Sequence, residues 1–126
     1  MGPEHLTGID VIDKQHQEIF DVAESAVEAI QSGDKWHVVH YILVRLHELS
    51  RIHFAVEEGL MQALGYPETK AHQKLHLEYL AEIAKLRDAT LNEDSSATSS
   101  LNEHNVAFLI HILDHDKRLA DYLKAR

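Results

Sequence analysis

Between Lys35 and Leu64 apolar side chains recur every three or four residues, at Trp36, Val39, Leu43, Leu46, Leu49, Leu60 and Leu64, with no proline to interrupt them. That spacing is the buried stripe of one long amphipathic helix. A helix of about 30 residues suits a bundle better than a compact globin-like packing. His53 and Glu57 fall on the same stripe. Residues four apart on a helix share a face, with Cβ atoms about 5–6 Å from each other, so an imidazole and a carboxylate converge inside the core. An unpaired carboxylate there is costly or takes up a proton. A cation between the two groups removes the cost; so does a bare His–Glu hydrogen bond, or a rotation of the helix that leaves Glu57 in water. Taken alone, the pair favours the two bland arrangements, because ionisable residues on helices are mostly exposed or paired.

The rest of the chain has the same periodicity. Residues 1–9, with Gly2, Pro3 and Gly8, read as an irregular arm. A first helix starts near Asp10 or Asp13, either of which suits an N-cap, and turns Ile12, His16, Ile19, Phe20, Ala23, Val27 and Ile30 inward. Gly33 supplies its C-terminal turn and Asp34 a cap for the second helix. Gly65-Tyr66-Pro67-Glu68 stops the second helix, with Pro67 in the first turn of a third that runs to about Ala89 and carries His72, Leu75, His76, Tyr79, Leu80, Ile83 and Leu86 inward. The polar run from Asn92 to Ser100 is a loop. Ser100-Leu101-Asn102-Glu103 forms a capping box for a fourth helix that presents Leu101, Phe108, His111, Ile112, His115, Asp116, Leu119 and Tyr122. Four amphipathic helices with short or polar connections predict an all-α, up-down-up-down antiparallel four-helix bundle, a single domain over residues 1–126.

Eleven histidines in 126 residues is the unusual feature of the composition. His16, His53, His72, His76 and His111 all face inward, each on a helix whose carbonyls are already engaged, and Glu57 and an acidic group near His111 join them. A metal centre satisfies them together. Seven ligands exceed the four of a tetrahedral zinc site, so two ions are indicated. Five imidazoles with two carboxylates suit iron better than calcium or magnesium, with zinc and manganese left open. Carboxylates are the natural bridges. On the last helix, spacing alone favours Asp114 or His115, at three and four residues from His111, over Asp116, which a five-residue step turns about 140° away. His5, His37, His40, His47 and His104 are expected at exposed or edge positions, and Glu58 as a solvated charge with a hydrogen bond to a ligand histidine as the alternative.

The net charge of −9, without a basic cluster, excludes a nucleic-acid partner. No apolar run approaches the roughly 20 residues that cross a bilayer, so no membrane insertion is expected. No cysteine is present, which excludes disulfides and thiolate metal sites, and with no secretion signal in view the reading is a cytoplasmic protein.

Ile12-Asp13-Lys14-Gln15-His16, His53-Phe54-x-x-Glu57-Glu58-x-x-Met61, Gly65-Tyr66-Pro67, His72-x-x-x-His76 and His111-Ile112-x-x-x-Asp116 together closely resemble hemerythrin, above all its bacterial hemerythrin-like domains. The resemblance covers nearly the whole chain. It implies a non-haem di-iron centre with His72, His76 and His111 on one iron and His16 and His53 on the other. Glu57 and Asp116 would bridge them beside an oxo or hydroxo group, and the open position on the second iron would bind dioxygen reversibly. Ile19, Phe54, Phe108 and Ile112 lie one helical step from these residues and would line the oxygen pocket. The expected role is oxygen carriage, storage or delivery rather than enzymatic turnover, because the site is rich in imidazole and has no Glu-x-x-His pair. Two alternatives are an oxygen- or redox-sensing input domain fused to or partnered with a signalling domain, and peroxide or nitric oxide chemistry at the same irons.

Overall fold

The computed structural model describes residues 2–91, 104, 108 and 111–125, the side chains of Leu91, Ile112 and Leu113 excepted. The Asn92–Ser100 segment, the capping box at 100–103 and Leu101 lie outside the described residues.

Three long helices form where the periodicity predicts them: α1 (Asp10–Gln31), α2 (Trp36–Leu64) and α3 (Thr69–Leu91). His104 and Phe108 are helical and buried. A π-helical turn, Ile112–Asp116, then leads into α4 (Lys117–Lys124). A single 3-10 turn, Pro3–His5, gives the N-terminal arm its shape. Among the described residues every regular element is helical, and α2 packs against both α1 and α3. This is the all-α, four-helix arrangement that the stripes of apolar residues require.

The turns show why the helices stop. Gly33 and Gly65 hold left-handed backbone, with φ of 74° and 64°, which a side chain would strain. Tyr66 N donates to the Met61 carbonyl at 2.9 Å and Asp34 N to that of Ala29 at 3.0 Å, closing the ends of α2 and α1. The caps differ from expectation. Lys35, not Asp34, precedes α2, and Ile9 precedes α1 without a side-chain bond. The Asp13 carboxylate is spent on the arm: Oδ1 accepts from Thr7 N and Oγ1, each at 2.8 Å, and Oδ2 from Gly8 N at 3.1 Å. Helix α3 begins two residues after Pro67, its first turn closed by His72 N donating to the Glu68 carbonyl at 3.0 Å.

Two apolar clusters hold the bundle. The larger joins Ala23 and Ala26 of α1, Val39, Leu43, Leu46 and Phe54 of α2, and Ile83 and Leu86 of α3. The smaller joins Met61, Tyr66 and Leu119, with Tyr122 and Leu123 against them. Met61 is fully buried and Leu64 is exposed, so the stripe of α2 ends through Glu57 and Met61 rather than through Leu64. Along α2, His53 and Glu57 fall between the two clusters. No described helix is long and apolar enough to cross a membrane.

Candidate metal centre

Each long helix delivers inward polar groups at one level. α1 presents His16, α2 His53 and Glu57, and α3 His72 and His76; the segment running into α4 presents His111 and Asp116. None of the seven is more than 2% exposed. All the residues that the sequence singles out as ligands are therefore brought together.

The donor atoms sort into two groups. Glu57, His72, His76, His111 and Asp116 each offer one atom such that all lie within 4.8 Å of one another, and His16 and His53 do the same with Glu57 and Asp116. Both carboxylates belong to both groups. Asp116 Oδ1 lies 2.9 Å from His72 Nε2 and 2.9 Å from His111 Nε2, while Oδ2 lies 2.8 Å from His16 Nε2. Glu57 Oε1 lies 3.1 Å from His53 Nε2 and 3.4 Å from His76 Nε2.

Of these contacts one, His72 Nε2 with Asp116 Oδ1, is a hydrogen bond, and the others are close without being one. His16 Nε2, His53 Nε2, His76 Nε2, His111 Nε2, both Glu57 oxygens and Asp116 Oδ2 are buried without a hydrogen-bond partner. Buried polar atoms left unsatisfied are rare because each loses its hydration for nothing. Atoms that crowd together without pointing hydrogens at one another are aimed instead at the space they share, as the ligand atoms of an ion are. Imidazole nitrogen with carboxylate oxygen is a donor set for a transition metal rather than for a hard cation wanting oxygen alone. The seven residues thus fit a pair of metal ions.

Asp116 is where spacing misled. In an α-helix His115 would share the face of His111, but the turn from Ile112 to Asp116 is π-helical. With i→i+5 bonding the fifth residue comes round to the same face, so Asp116 reaches the cluster and His115 is left partly exposed beside it, 5.3 Å ring to ring from His111.

Two further residues orient the imidazoles. His53 Nδ1 donates to Gln15 Oε1 at 2.6 Å, and His76 Nδ1 donates to Glu58 Oε2 at 2.9 Å. Each bond commits the proton to Nδ1 and turns the Nε2 lone pair inward. Glu58 is thus no freely solvated charge: it takes the alternative, the bond to a site histidine. The one signal for Gln15 in the sequence is its place just before His16.

Burial and the nearby Asp116 charge push the Glu57 carboxyl up, yet the contacts with His53 and His76 outweigh them and hold it below its ordinary value. Burial likewise opposes ionisation of Asp116, but His111, His16 and His72 hold that carboxyl well below its ordinary value. Both stay anionic in the core.

Aromatic rings close one side. Phe54 stacks on His76 with centroids 3.9 Å apart and Phe108 meets His16 edge-on at 5.8 Å. Ile19 is buried in the same cluster, and the Ile112 side chain lies outside the described residues. Tyr79 joins this wall, its ring 5.2 Å from His111 and its hydroxyl pushed up to about 12 by burial and by the Asp116 charge. Its place three residues past His76, on the same stripe, was the signal. Of the histidines expected at the surface, His5 and His104 are buried: the 3-10 turn folds His5 in, and His104 packs edge-on against Tyr79 with Nδ1 3.2 Å from Glu82. His40 sits at an edge, Nδ1 3.0 Å from the Arg87 carbonyl, joining α2 to α3.

The chain is similar to known proteins over most of its length. A bacteriohemerythrin from Clostridium acetobutylicum is 25% identical over 119 residues, covering 90% of this chain and 92% of the relative. One from Stenotrophomonas maltophilia is 29% identical over 119 residues, 94% of this chain and 76% of the relative. One from Pseudomonas aeruginosa is 33% identical over 81 residues, 64% of this chain and 52% of the relative. Residues 7–123 match the family model of the Hemerythrin HHE cation binding domain. A match of that length, laid over a cluster of histidines and carboxylates drawn from the whole bundle, places the chain in the hemerythrin family.

Proposed function

We propose that this protein binds dioxygen reversibly at a non-haem di-iron centre and serves to carry, store or deliver it. The observation that carries this reading is the pair of donor groups sharing Glu57 and Asp116. His72, His76 and His111 would hold one ion, His16 and His53 the other, and Glu57 and Asp116 would serve both. The group with only two histidines would give its ion one protein ligand fewer. Two iron ions, when bound, supply one electron each to a ligand such as dioxygen and recover them on its release.

The chain's own residues do the rest. Gln15 and Glu58 fix the tautomers of His53 and His76, so that both imidazoles meet an ion as neutral donors. Glu57 and Asp116 stay ionised and balance its charge. Phe54, Phe108 and Ile19 are buried against the cluster and exclude water and protons from it, which favours binding and release over turnover. The same reading runs the helices up-down-up-down, makes the chain one domain and puts it in the cytoplasm.

The test is an absorption spectrum of protein loaded with iron(II) without air. A visible charge-transfer band should appear on exposure to oxygen and fade when oxygen is withdrawn. Irreversible bleaching, or steady consumption of oxygen or peroxide, would replace binding with turnover.

A further inference from the structure

Among the described residues the π-helical turn is the one place where the site depends on an irregular backbone, and the same turn is held from outside by the Arg118 side chain. Arg118 Nε donates to the Asp114 carbonyl at 3.3 Å, and Arg118 Nη2 lies 3.0 Å from His115 Nδ1. Nη1 donates at 2.8 Å to Glu68 Oε1, just ahead of α3. Glu68 is itself tied down, because its Oε2 accepts from the Tyr66 hydroxyl at 3.0 Å. Arg118 therefore joins the middle of the turn to the junction of α2 and α3.

We propose that Arg118, anchored by Glu68, is a positioning residue that holds this segment in the π register, and so decides that Asp116 rather than His115 enters the metal centre. The inference rests on the ligand set proposed above. A π turn is an α-helix with one residue too many, and runs of it are rare because the regular helix bonds better. Relaxed into α-helical register, the turn would bring His115 to the face of His111. His115 is already at the edge of the cluster, 6.1 Å ring to ring from His72 and 5.3 Å from His111. The guanidinium engages its Nδ1 and the carbonyl before it at once, which a fork of fixed geometry can do and a point charge cannot. Arg118 is half exposed, 46% at the side chain, like Glu68. Exposed pairs of this kind add little to stability, so the effect of losing it falls on the register rather than on the fold.

Cobalt(II) is the probe, added to the whole chain without air, because its visible bands change when an imidazole replaces a carboxylate. Arg118→Ala should shift those bands and weaken uptake of an ion by about tenfold. Arg118→Lys should recover part of the loss. Arg118→Ala combined with His115→Ala should give bands unlike those of the single variant, since the imidazole that took the place of Asp116 is gone. Parental bands and affinity in Arg118→Ala would overturn the inference, and so would a double variant with the same bands as the single one, the mark of a merely structural role. If Arg118→Ala does not fold, Glu68→Gln carries the test: a smaller shift of the same bands supports the inference and parental bands refute it. Failure of the ligand set itself looks different, as Asp116→Ala would then leave the parent's cobalt spectrum unchanged.

Discussion

The two halves of α2 are buried equally and built oppositely. Val39, Leu43 and Leu46 are 0%, 0% and 1% exposed, and further along the helix His53 and Glu57 are 1% and 0% exposed. In the first half burial is its own reward, as apolar surface leaves water at about 25 cal/mol per Å². In the second half the same burial strips hydration from a carboxylate and an imidazole and leaves both Glu57 oxygens and His53 Nε2 without partners. One helix thus carries a half that stabilises the fold and a half that the fold must tolerate until a ligand satisfies it.

That contrast makes mutations in the two halves separable. Glu57→Ala is the largest expected effect on the site: with a shared carboxylate gone, metal analysis should find most of the bound metal lost. The metal-free variant should still fold, keeping the helical circular dichroism of the metal-free parent. Leu43→Ala should do the reverse, lowering stability in denaturant unfolding by about 2–5 kcal/mol while the metal content of the folded protein stays at the parent's level. If Leu43→Ala lost metal while Glu57→Ala kept it, the division of the helix would be wrong.

Smaller changes sharpen the boundary. Glu58→Ala should weaken metal binding by about 10–100-fold in a competition with a chelator, because His76 Nδ1 loses its acceptor; no change would return Glu58 to the role of a solvated charge. The smallest expected effect is at His104. Burial holds its imidazole below the ordinary range against the opposing pull of Glu82. The unfolded chain, titrating near 6.5, then binds the proton first, and stability falls as pH drops from there through the lower folded value. Melting of metal-free His104→Leu should decline less steeply over that window than melting of the parent.

What could be read from the sequence was whatever follows the 3.6-residue period. The stripes of α1, α2 and α3 placed His16, His53, Glu57, His72 and His76 inward without help, because a helix that buries Val39 and Leu43 has no choice about where residues further along the stripe point. Asp116 was not readable that way. Its place depends on a π turn whose extra residue breaks the period, so spacing pointed to Asp114 or His115 and the family resemblance named the one that the structure brings to the cluster. Glu58 was misjudged because the period says which face a residue starts from, not how far a flexible carboxylate reaches back. His5 and His104 were misjudged because their burial comes from the arm's 3-10 turn folding against the π turn and from the contact with Tyr79, neither of which the 3.6-residue period encodes. Caps were similarly illegible: Asp13 had a competing use in holding Thr7 and Gly8.

The central claim is that the seven buried side chains hold two ions rather than one another, and counting metal tests it most directly. Native mass spectrometry of protein loaded with iron(II) without air should show two ions per chain, reduced sharply by Glu57→Ala and by Asp116→Ala. A chain that takes up one ion or none, or that keeps two after either substitution, would contradict it.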